Sequence, residues 1–271
     1  MNRIGFLIAL IIAAAVGLVF GIFPGLDLKI AAPFFDPQGL GFWARVDPAF
    51  LWARLISSYT IAAIVAPAFL ALAWKLLQPR RRLLMPGRAV VFLIVTLALG
   101  PGLVTNVILK DYWGRPRPID VTEFGGEEHF APWWDPRGDC PKNCSFVAGE
   151  PSGAFWTLAP AALVPPPWSA LAYGAALAFG AVISVARIGA GAHFLSDTVF
   201  AGVFTFLVIW IVHGLIYRWP ATRISDAQVE RAIERVALPG YEALERLVAR
   251  AQARGGRELL NARLRARALR L

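Results

Sequence analysis

The stretch ARIGAGAHFLSDTVFAGVFTFLVIWIVHGLIY, from Ala186 to Tyr217, decides how this chain is read. From Phe194 to Tyr217 it is long and apolar enough to cross a hydrocarbon core of about 30 Å as a helix. Its head is different: Arg187, His193 and Asp197 stand at or just beside the apolar run. Ionisable side chains at a membrane edge are costly and call for a role. His193 and Asp197 are four residues apart, so a helix puts them on one face.

Working outward, five more apolar runs of similar length appear: Ile4–Phe23, Trp52–Leu77, Ala89–Leu109, Gly149–Val164 and Trp168–Ala186. The first is closed by Pro24-Gly25 and is long for a signal peptide, without a small-x-small cleavage site. The fourth is short and ends at Pro165-Pro166-Pro167; the fifth is rich in small residues, which suits close helix contacts. The composition agrees, with 57% hydrophobic residues and a mean hydropathy of +0.56. The expected fold is all-α: an integral-membrane bundle of six transmembrane helices over residues 1–220, with an outer loop 110–148 carrying part of the site. A basic amphipathic cytoplasmic tail over 221–271 follows. In that tail Val229, Ile233 and Val236 share one face and Leu244, Leu247 and Val248 another, with breaks expected at Pro239-Gly240 and Gly255-Gly256.

The net charge is +9, yet apolar runs separate most of the arginines, so the basic excess points to a bilayer and no nucleic-acid partner is expected. Arg80, Arg81, Arg82 and Arg88 crowd the link between the second and third runs. The positive-inside rule makes that link and the arginine-rich tail cytoplasmic. The outer ends of the helices, bearing Lys110, Glu150, Arg187 and His193, then face the periplasm of a bacterial inner membrane. Cys140 and Cys144 lie in the outer loop and stay open between a disulfide and free thiols. With only His129 nearby, a metal site is not expected there.

At one level this topology gathers Lys110, Asp111, Arg115, Arg117, Glu150, Arg187, His193 and Asp197. Any one arginine alone reads as a headgroup anchor, and His193 alone as a satisfied helix histidine. Together the cations suit a phosphate, and a carboxylate can hold a histidine in one tautomer, freeing the other nitrogen as a nucleophile. That is a metal-free and cofactor-free site for phosphoryl transfer from a lipid.

The motifs then become specific. KDYWGRPRP from Lys110 supplies K-x6-R-P, and ARIGAGAHFLSD supplies R-x5-H-x3-D. In these the chain resembles the type 2 phosphatidic acid phosphatase family, relatives of the vanadium haloperoxidases. The resemblance implies that His193 attacks phosphorus and forms a phosphohistidine, that Asp197 orients it, and that Lys110, Arg117 and Arg187 hold the phosphate. Arg115 rivals Arg117, because RPRP offers two registers. Ala186 stands where the family usually has Ser. The family's S-F-P-S-G-H is matched here by SFVAGE, so that Ser145, Phe146 and Gly149 align, Glu150 replaces the acid histidine, and Ser152 falls on a later family serine. Gly149 and Ser152 are therefore read with the phosphate-binding set, and Glu150 as general acid, or as the base for water. The bland alternative for Glu150 is a carboxylate that complements a helix N-terminus. His129 is a lesser candidate for the acid. The loop Asp120–Asp139 is long enough to cap the site, with Trp133-Trp134 at headgroup level.

The expected activity is a phosphoric monoester or diphosphate hydrolase acting on a lipid phosphate: a polyprenyl diphosphate, a lipid A phosphate or a phosphatidate-type lipid. A lipid phosphotransferase using the same histidine, a non-catalytic phospholipid-binding or transport protein, and a haloperoxidase are the alternatives.

Overall fold

The computed structural model describes residues 2–39 and 41–268, with side chains as far as residue 253. Asn2 starts the first helix by accepting the Gly5 N–H at 3.0 Å. Helix α1 (Arg3–Ile22) ends before Pro24, and the short α2 (Gly25–Ala31) turns away with Asp27 buried in it. A two-residue hairpin, β1 (Phe35–Asp36) with β2 (Gly41–Phe42), pairs Phe35 opposite Phe42. The long α3 (Pro48–Leu77) follows, then α4 (Gly87–Tyr112), which carries Pro101 inside it. The Pro101 carbonyl is satisfied by the Asn106 side chain at 2.7 Å. After the outer loop come α5 (Gly149–Phe155), α6 (Leu158–Ala161), α7 (Ser169–Gly189), α8 (Leu195–Arg218) and the tail helix α9 (Asp226–Ala268).

Among the described residues five helices are long and apolar enough to cross a membrane: α1, α3, α4, α7 and α8. The expected fourth span differs. Residues 149–161 form two short helices in tandem, interrupted at Trp156-Thr157 with Pro160 just beyond, and neither has the length of a crossing. Yet α7 rises about 27 Å from Ser169 to Arg187, which it delivers to the level of Glu150. The stretch between α5 and α7 therefore traverses the depth of the bundle in broken form.

The burial pattern is that of a protein solvated by lipid. Ile11, Leu171 and Val182 are more than half exposed, while Thr96, Thr105, Ser152 and Thr205 are buried. Those hydroxyls pair across helices: Ser152 lies 2.9 Å from Thr105 and 2.7 Å from Thr205, and the Trp156 indole donates to Thr96 at 3.0 Å. Phe155 is wedged between Gly180 of α7 and Gly202 of α8, where any Cβ would strike its ring. The small residues of these helices thus allow the close packing that broken α5–α6 needs.

The chain divides into two units, one of residues 1–68 and 91–224, the other of 69–90 and 225–271. The second is held by ion pairs. The buried Lys75 ammonium donates to the carbonyls of Pro79 (2.6 Å) and Arg81 (2.8 Å) and lies within 3.4 Å of Glu230 and Glu234. Arg88 pairs with Asp226 at 3.2 Å. In it α9 runs unbroken through Pro239-Gly240 and Gly255-Gly256, where breaks were expected. The missing proline N–H costs one helical hydrogen bond. The Ala, Glu, Leu and Arg that fill the flanking turns are strong helix formers and carry the helix across it.

Candidate active site

His193 sits in the turn before α8, fully buried. Its Nδ1 lies 2.8 Å from the backbone carbonyl of Ser145, an acceptor, so Nδ1 carries the proton and Nε2 is bare. Nε2 has no hydrogen-bond partner among the described residues; the nearest ion-pairing atom is Glu150 Oε2 at 4.0 Å. Burial pushes the imidazole well below its usual pKa, and Arg187, Lys110 and Arg117 push it further; the Ser145 carbonyl pulls the other way. The ring is therefore neutral at neutral pH, with its bare nitrogen close to a carboxylate.

That carboxylate, Glu150 in the first turn of α5, is held in an arginine fork. Arg54 of α3 approaches Oε1 at 3.3 Å and Arg187 of α7 approaches Oε2 at 3.6 Å. Burial pushes the Glu150 carboxyl up, but Arg187, its own backbone N–H, Lys110 and Arg54 outweigh burial and hold it below the usual range. Lys110, at the end of α4, donates to Asn143 Oδ1 at 3.0 Å, and Arg117 donates to the Asn143 carbonyl at 2.7 Å. Asn143 presents both oxygens because its backbone is left-handed, with φ of 54°. Cys140 and Cys144 are joined in a disulfide that brackets it. Gly149 lies against Lys110: a Cβ there would come within 3.3 Å of Nζ and 2.9 Å of Asn106 Oδ1. A cavity of about 260 Å³ adjoins this cluster and shares Arg54, Arg117 and Arg187 with it; Arg45 and Ala186 are also on its walls.

Six of the sequence-derived residues, Lys110, Arg117, Gly149, Glu150, Arg187 and His193, thus converge. Asp197 does not touch the imidazole as expected. Its carboxylate caps α8 by accepting the Phe194 N–H at 2.8 Å, and accepts the Ser145 hydroxyl at 2.6 Å. It reaches His193 only through Ser145. Arg115 is a second correction. It is completely buried, paired with Asp27 at 2.8 Å and with Asp197, and it donates to Ala131 O at 2.9 Å. A guanidinium so occupied is no phosphate ligand, which leaves Arg117 as the register that faces the cavity. Ser152 is a third, since its hydroxyl is taken up by Thr105 and Thr205. His129 is exposed and pairs with Asp139 at 3.1 Å, and the Trp133 ring packs on Phe200 with centroids 4.4 Å apart. Arg54, Arg45 and Asp27 were missed.

The two arginine registers make opposite predictions. Arg115→Met leaves two buried carboxylates without their cation, which costs about 3–5 kcal/mol. The variant should melt far lower or fail to elute as a single species. Arg117→Met should melt like the wild type and raise KM instead, as read by thermal unfolding beside steady-state kinetics.

The PAP2 superfamily model matches residues 89–223, the span that holds both recognisable motifs. A lipid A 4'-phosphatase of Francisella tularensis subsp. novicida (strain U112) is 33% identical over 232 residues, covering 80% of this chain and 98% of that protein. A lipid A 4'-phosphatase of Rhizobium leguminosarum is 35% identical over 200 residues, 67% of this chain and 83% of that one. A solved Bacillus subtilis structure, described as a transmembrane PAP2-type phosphatidylglycerolphosphate phosphatase, aligns over 77% of this chain and 92% of its own, with a TM-score of 0.46 and 19% identity. With one relative matched at 33% identity almost from end to end, the chain belongs to the PAP2 superfamily and is an integral-membrane phosphatase.

Proposed function

We propose that the protein removes a phosphate monoester from the sugar of a lipid A-type glycolipid, at the outer face of the inner membrane, through a phosphohistidine on His193. One observation carries the chemistry: a bare, neutral imidazole nitrogen faces an anion cradle that Glu150 occupies in the free site. A substrate phosphate takes the place of that carboxylate beside Arg187, with Arg117 and Lys110 as its further cations. His193 Nε2 attacks phosphorus, the bond from phosphorus to the sugar oxygen breaks, and that oxygen needs a proton to leave. Glu150, displaced by a dianion, gains affinity for a proton and supplies it. In the second step Glu150 takes a proton from water, water attacks the phosphohistidine, and inorganic phosphate departs. The cations stabilise charge on the equatorial oxygens.

The glycolipid class is supported by the two lipid A 4'-phosphatases that this chain resembles over most of their length. The outward orientation is supported by Arg80, Arg81, Arg82 and Arg88 between α3 and α4 and by the basic tail. Metal independence follows from the site's charge: several cations against a single carboxylate repel a divalent ion. The test is phosphate release by detergent-solubilised protein in EDTA, from lipid A, phosphatidate, phosphatidylglycerophosphate and undecaprenyl diphosphate. Release from lipid A well above the others supports the assignment. A preference for a glycerolipid or a diphosphate, or loss of activity in EDTA, would replace it.

A further inference from the structure

Asp27 lies buried in the short helix α2. Its surroundings are those of a buried ionic network. Its carboxylate accepts the Ser196 N–H at 3.0 Å, the Ser196 hydroxyl at 2.5 Å and Arg115 Nη2 at 2.8 Å. Arg115 Nη1 donates to Ser196 Oγ at 2.8 Å and also to Asp197. Asp197 accepts the Ser145 hydroxyl, and the Ser145 carbonyl accepts Nδ1–H of His193. Asp27, Arg115, Ser196, Asp197 and His193 are all at most 1% exposed. The Arg115 guanidinium carbon lies over the Phe194 ring, 4.5 Å from its centroid.

Every partner of the two carboxylates is a hydrogen-bond donor, the arrangement of ionised groups. Two carboxylates on one guanidinium leave one net negative charge in a dry pocket beneath the imidazole. A structural ion pair would need only one. The reaction asks for the other: when Nε2 bonds phosphorus while Nδ1 keeps its proton, the neutral ring becomes a cation. A fixed negative charge close by stabilises that state and leaves the bound substrate's phosphate, on the far side of the ring, largely unaffected.

We propose that Asp27 is a positioning residue for the phosphoryl-transfer step, acting through Arg115, Asp197 and Ser145 to supply the negative charge that the His193 ring requires when it is phosphorylated. The role rests on the reading of His193 as nucleophile.

The test is steady-state kinetics on Asp27→Asn, Asp197→Asn and the double variant, with thermal unfolding of each and His193→Ala alongside. Asp27→Asn keeps the shape and the acceptor oxygen for Ser196 but removes the charge. Its kcat should fall about 10- to 100-fold with KM within about twofold of the wild type. In the Asp197→Asn background the same change takes the network from neutral to one net positive charge and should lower kcat about 10- to 100-fold again. Asp27→Ala is the second variant and should show the same split. Wild-type kcat in Asp27→Asn, or a loss that appears in KM instead of kcat, would overturn the role. Failure of both Asp27 variants to fold would assign Asp27 to stability alone and overturn it too. A His193→Ala protein that keeps its activity would remove the nucleophile and this role with it, a result that is read directly from the parallel arm.

Discussion

His193→Ala should lower phosphate release by at least about 10³-fold, the scale of losing a nucleophile whose remaining machinery is intact. The protein should still fold. The described hydrogen bonds of the imidazole both go to Ser145, to its carbonyl at 2.8 Å and its hydroxyl at 3.5 Å, and the ion network beneath does not depend on the ring. Affinity for inorganic phosphate should persist, since Lys110, Arg117 and Arg187 remain to hold it. Equilibrium binding of phosphate to the variant separates this from collapse of the site. Activity within tenfold of the wild type would mean that another group attacks phosphorus.

Glu150→Gln should act in two opposite directions. As general acid and base its loss should reduce kcat on a sugar phosphate by about 10²- to 10³-fold. As the anion that fills the free site its loss should make phosphate bind more tightly, because the substrate no longer displaces a carboxylate from Arg54 and Arg187. Competitive inhibition by inorganic phosphate should therefore strengthen severalfold. The deficit in the first step, read as the burst of leaving group, should shrink on an aryl phosphate whose leaving group is already a weak base, since that group needs no proton. An equal loss on both substrates would assign Glu150 to holding the arginines in place.

Much of the site was legible because its residues interrupt apolar helices. Lys110, Arg187 and His193 each stand where a hydrocarbon-length run begins or ends, and the topology puts all three at one level. The exchange of Glu150 for the family's histidine was also legible, from Ser145, Phe146 and Gly149 keeping the register. Burial was not. Nothing in RPRP says that Arg115 points into the protein and Arg117 into the cavity; that follows from Asp27, 88 residues earlier in the chain, reaching the same place. Arg54 was lost inside the second apolar run, where a single arginine reads as a headgroup anchor. Ser152 looked like a ligand by motif position, but α5 is a helix, and two residues past Glu150 the side chain has turned onto another face, toward Thr105 and Thr205. The broken fourth span escaped notice because composition registers apolar length and not the Trp156-Thr157 interruption. Ser145 was read as a motif match, yet its working group is a backbone carbonyl, which any side chain could have carried. Its hydroxyl is the part that only this residue type supplies, and it goes to Asp197.

The central claim is a covalent phosphoryl group on His193. The direct measurement is rapid mixing of the purified protein with phosphate-labelled lipid A, a quench in alkali, and peptide mass spectrometry. A label is expected on the peptide carrying His193, stable to base, lost in acid, and missing from His193→Ala. The label should also build up in Glu150→Gln given an aryl phosphate, because the first step needs no acid there while the second still lacks its base. Phosphate release at the wild-type rate with no label on His193 at any time would contradict that claim, and would point to direct attack by water in a site that only binds the phosphate.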